Sequence, residues 1–163
     1  MPNLVHQNDG TVIGPWDDTD VTYTLALNNL ASGAGRQGDQ YDFGTSARAD
    51  KFAWRAWVRF ATTPVVGEIV RIYAKTSDGT SPDNDDGTAD AAVSAEDKLR
   101  NLTWLGNIVV DEAATGVTMA ASGIVYLPQR YFQPVIWNDT ADNLVATDDL
   151  SGFSLTPVPL EIQ

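Results

Sequence analysis

Apolar and polar residues alternate with a period of two along most of this chain, and no long stretch keeps the 3.6-residue period of a helix. Val21, Tyr23, Leu25 and Leu27 alternate with Thr22, Thr24, Ala26 and Asn28, which predicts a strand with one buried face. From Ala31 to Asp50, the glycines and small polar residues of SGAGRQGD and FGTS predict a connection crossing between sheets. KFAWRAWVRFA is the clearest strand. Phe52, Trp54, Ala56, Val58 and Phe60 fall on one face, and Lys51, Arg55 and Arg59 on the other, with Ala53 and Trp57 between them. Pro64 and Gly67 then turn the chain. Val70, Ile72 and Ala74 alternate with Ile69, Arg71, Tyr73 and Lys75 in a second strand, able to pair with the first as a hairpin.

Residues 76–98, TSDGTSPDNDDGTADAAVSAEDK, read as a long acidic insertion. Its second part, ADAAVSAEDK, is expected to form one or two helical turns, with Ser94 and Asp97 spaced as in a capping box. Further strands are expected at Asn101–Val110, Thr115–Ala121, Ile124–Leu127, Tyr131–Trp137, Leu144–Ala146 and Phe153–Val158. Pro157 and Pro159 place the last at an edge or just past the end of a sheet. About eight strands without a sustained helix predict an all-β, two-sheet β-sandwich. A jelly roll is the expected topology, and an immunoglobulin-like arrangement is the alternative. Phe52, Trp54, Val58, Phe60, Val70, Ile72, Leu102, Trp104, Ile108, Val135 and Trp137 are the expected core. Residues 1–20, rich in Asn, Asp, Gly and Pro, are expected to form an N-terminal arm, and residues 21–163 a single domain.

Composition narrows the chemistry. A chain of 163 residues with 43% apolar content can bury a real core. It has no cysteine, which excludes disulfides, thiolate metal sites and Cys nucleophiles and fits a reducing assembly compartment. The opening MPNLVHQNDG has no basic region and no apolar run of a secretory signal. No stretch approaches a membrane helix. A net charge of −12 argues against nucleic-acid binding. The charge is segregated: residues 36–75 hold seven of the ten bases, while residues 76–98 hold seven acids and one base. Such a pattern either pairs within one fold or makes a two-faced surface.

No catalytic constellation stands out, and the chain is not expected to be an enzyme. His6 is the only histidine, in the arm, without triad spacing around it. Gly33, Gly35 and Gly38 imitate a GxGxxG loop but lead into no helix of a βαβ unit, so they are expected to turn the chain. Asp83, Asp85 and Asp86 suggest a calcium loop, but Gly87 and Ser94 then stand where an EF-hand needs ligands. The expectation is a solvated acidic loop with no metal and no cofactor. Trp54, Trp104 and Trp137 sit among aliphatic residues and are expected in the core. Trp57 instead shares a face with Lys51, Arg55 and Arg59. Aromatics among cationic stems occur at interfaces or as a cation–π patch under a loop, so these four residues are the candidate interface.

The order of features from about Val21 to Val158 resembles that of small β-sandwich structural proteins of tailed-phage particles. The likeness runs through VTYTLALNNLASGAGRQGDQYDFG, KFAWRAWVRF, IVRIYAKTSDG, an acidic insertion, NLTWLGNIVV and LPQRYFQPVIWNDTADNLVATDD. Leu127 to Asn143 is its most specific piece. The resemblance implies a head decoration, or cement, protein at the capsid surface of the virion. Its partners would be the major capsid protein and further copies of itself, a trimer being the expected state, with no nucleic acid and no membrane. A tail or fibre module that contacts the host surface or glycans is the alternative. A chain that opens on Met and closes without a linker is expected to be a complete gene product, which disfavours an accessory domain of a larger enzyme.

Overall fold

The computed structural model describes residues 12–17, 23–45, 49–147 and 149–158. Its strands, in chain order, are β1 (Ile13–Trp16), β2 (Ala34–Gln37), β3 (Tyr41–Asp42), β4 (Lys51–Arg59) and β5 (Ile69–Ser77), then β6 (Ala91–Val93), β7 (Thr103–Val109), β8 (Thr118–Tyr126), β9 (Tyr131–Asn138) and β10 (Gly152–Pro157). One sheet has the order β1-β10-β4-β8. The other has the order β6-β2-β9-β5-β7, with β3 also on β9. Each ladder between these strands is antiparallel.

The pairing is nested. The chain folds back so that β1 meets β10, β2 meets β9, β4 meets β8 and β5 meets β7. This double-stranded ribbon then wraps, bringing β10 beside β4 and β9 beside β5. That is the jelly-roll order, which excludes the immunoglobulin-like alternative. The wrap also separates β4 from β5, expected as a hairpin: they lie in different sheets, because each finds its partners from the second half of the chain.

Between the sheets lies one large core. Phe52, Trp54, Ala56, Val58 and Phe60 face Val70, Ile72, Ala74, Ile108, Phe132 and Ile136 across it. A run of rings crosses its centre: Trp16 to Phe132 (5.5 Å), Phe132 to Phe153 (5.6 Å) and Phe153 to Trp54 (6.4 Å). Such edge-on and offset contacts add to the burial of ring area. A second, smaller core sits on the outer face of the second sheet, where Tyr73, Val135 and Trp137 meet Val93, Leu99 and Leu102.

Several expectations are corrected here. The boundary at residue 20 moves to before Ile13, since β1 pairs with β10 and Trp16 is fully buried, its indole N–H donating to the Asp39 carbonyl at 2.9 Å. Residues 23–28 keep their alternation in burial but form no ladder. Their backbone bonds go instead to Asp17, Asp39 and Asp90. The expected connection contains a strand, β2. Gly35 makes it possible, because a Cβ there would lie 2.4 Å from the Trp137 ring. Residues 118–126 are one strand rather than two, with Gly123 in mid-strand so that the Trp54 indole can lie against it. β10 is an interior strand, tolerated because Pro157 is its last residue.

The helix expected over 89–98 is replaced by β6 and a single 3-10 turn, Glu96–Leu99. Ser94 makes no cap and donates instead to Asp86 at 2.8 Å. Trp104, expected in the core, is 60% exposed. The ladder slips between Ile72 and Tyr73, pairing them with Gly106 and Trp104 and leaving Leu105 as an extra residue. The bulge turns Leu105 towards the core and Trp104 outwards.

Candidate functional site

Strand β4 alternates without a fault, so Lys51, Ala53, Arg55, Trp57 and Arg59 share the outer face of the first sheet. The four residues expected at an interface are thus brought together by a single strand. Across the ladders they face only neutral partners: Tyr126, Ile124, Ser122, Ala120 and Thr118 on β8, and Thr156, Ser154 and Gly152 on β10. Trp57 is held flat because Gly152 has no side chain, and a Cβ there would lie 2.6 Å from the indole. The Arg55 guanidinium stands 6.0 Å from the Trp57 ring centre, at the limit of a cation–π contact. Arg59 donates from Nη2 to the Thr118 hydroxyl at 2.9 Å.

The charge environment separates this face from the rest of the molecule. Arg36 pairs with Asp90, Arg71 with Glu96 and Asp139, Lys98 with Asp85, and Arg130 with Asp42. Among the described residues Lys51, Arg55 and Arg59 make no ion pair. The acid at its margin, Asp50, accepts from the Tyr126 hydroxyl, and this bond raises that phenol above its ordinary value. Three cations with neutral neighbours, around a half-buried indole, form a surface suited to an acidic partner.

The acidic insertion is exposed to solvent over much of its length, as expected of a solvated loop, but it is also fastened to the sheet beneath it. Its backbone covers the outer face of the second sheet, and its carboxylates hold it there. Asp83 accepts from the Thr76 backbone N–H at 2.6 Å and from its hydroxyl at 2.9 Å. Asp90 takes the Arg36 guanidinium and the Ala26 N–H. Lys75 lies beneath, 2% exposed, donating to Gln37 Oε1 at 3.1 Å and to the Gly87 carbonyl. Burial pushes its pKa down, against the pull of Asp86, Asp83 and Asp85. Sequence reasoning places Lys75 correctly on the outer face but misses the cover. Its one signal is the presence of Val93, Leu99 and Leu102, three apolar residues in and just after an otherwise polar insertion.

Among the described residues no group of three or more His, Cys, Asp or Glu could hold a metal ion, and no helix is long and apolar enough to cross a membrane. His6 lies outside the described residues. Gly33 turns the chain into β2 at positive φ, Gly35 lies within β2 against the Trp137 ring, and Gly38 follows it against the Trp16 ring.

No protein-family model matches the sequence, and neither does any curated protein. Two solved structures are similar in fold at low identity. One is murine APRIL, crystallised at pH 5.0, at 10% identity and TM-score 0.41, covering 90% of this chain and 93% of that one. The other comprises the CBM22-1–GH10 modules of a Clostridium thermocellum endo-1,4-β-D-xylanase complexed with xylohexaose, at 11% identity and TM-score 0.40. That match covers 95% of this chain, which spans 27% of the xylanase chain.

Proposed function

We propose that this chain is a non-catalytic structural protein of a phage particle, a capsid decoration protein that docks on the outer shell and bridges neighbouring capsid subunits. The observation that carries this is the basic face of Lys51, Arg55 and Arg59 around Trp57, without an ion pair among the described residues, on a protein of net charge −12. A sheet fixes the backbone that carries these groups, so docking to an acidic patch orders only their side chains and not the strand. Weak contacts repeated over a shell of many identical sites then add up by multivalency. Self-association into trimers at threefold positions follows from the same reading.

Purified empty capsids mixed with protein and pelleted test it. Wild type should co-pellet, and the Arg55→Glu/Arg59→Glu variant should stay in the supernatant with an unchanged thermal melt. Wild type that fails to pellet would move the assignment to a tail- or fibre-associated module. That second reading is favoured by Trp104 and Tyr126, aromatics that are exposed rather than packed.

A further inference from the structure

On one side of β9 the regular ladder is interrupted at Gln133 and Pro134, between the β2 pairing that stops at Val135 and the β3 pairing that ends at Phe132. The Gly38 N–H bridges the interval, donating to the Pro134 carbonyl at 2.9 Å. Proline suits such a gap, having no N–H to offer a ladder. Beside the gap a cleft of about 330 Å³ opens between β9, Gln40 and the loop of residues 77–88. Gln133 lines it and is 1% exposed. Its Nε2 donates to the Gly38 carbonyl at 2.8 Å, which sets the amide orientation and leaves Oε1 a buried acceptor with no donor among the described residues. Asn84 also lines it and is 9% exposed. Its Oδ1 accepts from the Asp86 N–H at 3.2 Å, which leaves Nδ2 a buried donor with no acceptor among the described residues.

One cleft therefore holds an unmatched acceptor and an unmatched donor. Both are already removed from water, so a ligand group that meets them gains a bond without a further desolvation cost on the protein side. The other walls are largely uncharged: the Tyr131 ring, Pro82, Ser77 and Thr88. Asp85, the charged group of the lining, is paired with Lys98. A hydroxyl both donates and accepts, and so satisfies the two amides. A carboxylate only accepts, and would face the Gln133 oxygen beside Asp85. An ammonium only donates, and would leave the Asn84 amide unmatched. Tyr131, with the Arg130 guanidinium 4.8 Å from its ring centre, adds an aromatic wall for the C–H face of a ring-shaped ligand. The volume is at the small end for ligand sites, enough for one sugar unit rather than a chain.

We propose that this cleft binds a neutral sugar residue, with its hydroxyls on Gln133 Oε1 and Asn84 Nδ2 and its ring against Tyr131. The cleft lies on the outer face of the second sheet, opposite Lys51, Arg55 and Arg59, and the site stands independently of any docking through that basic face.

The test is NMR titration of the labelled protein with D-glucose, D-galactose, D-mannose, L-rhamnose and N-acetyl-D-glucosamine, reading the side-chain amides of Gln133 and Asn84. At least one sugar should shift both saturably. Asn84→Asp keeps the oxygen that accepts from Asp86 but removes the free donor, and should weaken that binding by about tenfold or more. Thr88→Trp, at an exposed rim position, should block it while leaving the rest of the spectrum in place. No saturable shift with any of the five sugars would overturn the site, as would equal binding by both variants. Acetate or ammonium reproducing the sugar shifts would overturn the neutral ligand.

Discussion

Trp54 and Trp104 stand in similar alternating runs and finish in opposite environments. Trp54 is sealed between the sheets, stacked on Phe153 with its rim against the backbones of Gly106 and Gly123. Trp104 is turned out by the bulge at Leu105 and bonds its indole N–H only to Asn107 on the same strand, at 3.2 Å. Truncating Trp54 to Ala should cost about 3–5 kcal/mol, as for other buried aromatics. The same change at Trp104 should fall within about 0.5 kcal/mol of wild type. Urea denaturation of the two variants checks both, and equal costs would contradict the placement of Leu105 as the extra residue. The glycines carry the complementary lesson. Gly35, Gly123 and Gly152 look like turn residues in the sequence, yet each lies in a strand beneath a tryptophan: Trp137, Trp54 and Trp57. Glycine there lets a ring approach the backbone.

At the scale of elements, the segment from Thr76 to Leu102 is the feature least like its sequence. Its acids outnumber its bases and its periodicity is poor, yet it brings Val93, Leu99 and Leu102 onto Tyr73, Val135 and Trp137. It also shuts Lys75 beneath it, a residue whose charged form is penalised by burial. The folded protein therefore holds that proton less tightly than the unfolded chain does. Between the lowered value and the ordinary lysine value the unfolded state binds more protons, so this group makes stability rise with pH in that window. The penalty is in full force below the lowered value. Lysine-selective NMR should find Lys75 titrating below the ordinary lysine value, and the Lys75→Met variant should lack its contribution to the alkaline rise. Lys75 titrating at the ordinary lysine value would count against a closed cover.

For the whole molecule, the nested ribbon places two unlike faces back to back. The first sheet turns Lys51, Arg55, Trp57 and Arg59 outward, and the second carries the covered polar layer and its cleft. Strand β1 forms the edge of the first sheet, beside β10. Where the chain is cut decides what is tested. Removing residues 1–15 would take most of β1, whereas removing residues 1–11 spares Ile13–Trp16 and the buried Trp16. The shorter deletion should leave the thermal melt unchanged and weaken capsid co-pelleting. Undiminished binding would take the arm out of the docking surface.

The sequence by itself determined the fold class and the basic face. Alternation is a local property, and in β4 it runs for nine residues without a bulge, so which side chains share a face follows from parity alone. The same parity misleads at Trp104, where one extra residue changes sides, because a bulge is decided by the partner strand and not by the strand itself. Tertiary structure alone decided which strands became neighbours, since β4 and β5 are near in sequence but take their partners from about thirty to a hundred residues away. It also decided the burial of Lys75 and the meeting of Gln133 with Asn84. These depend on a covering segment whose polar sequence signals exposure, and which is held down by bonds from its carboxylates to backbone and side chains far away in the chain.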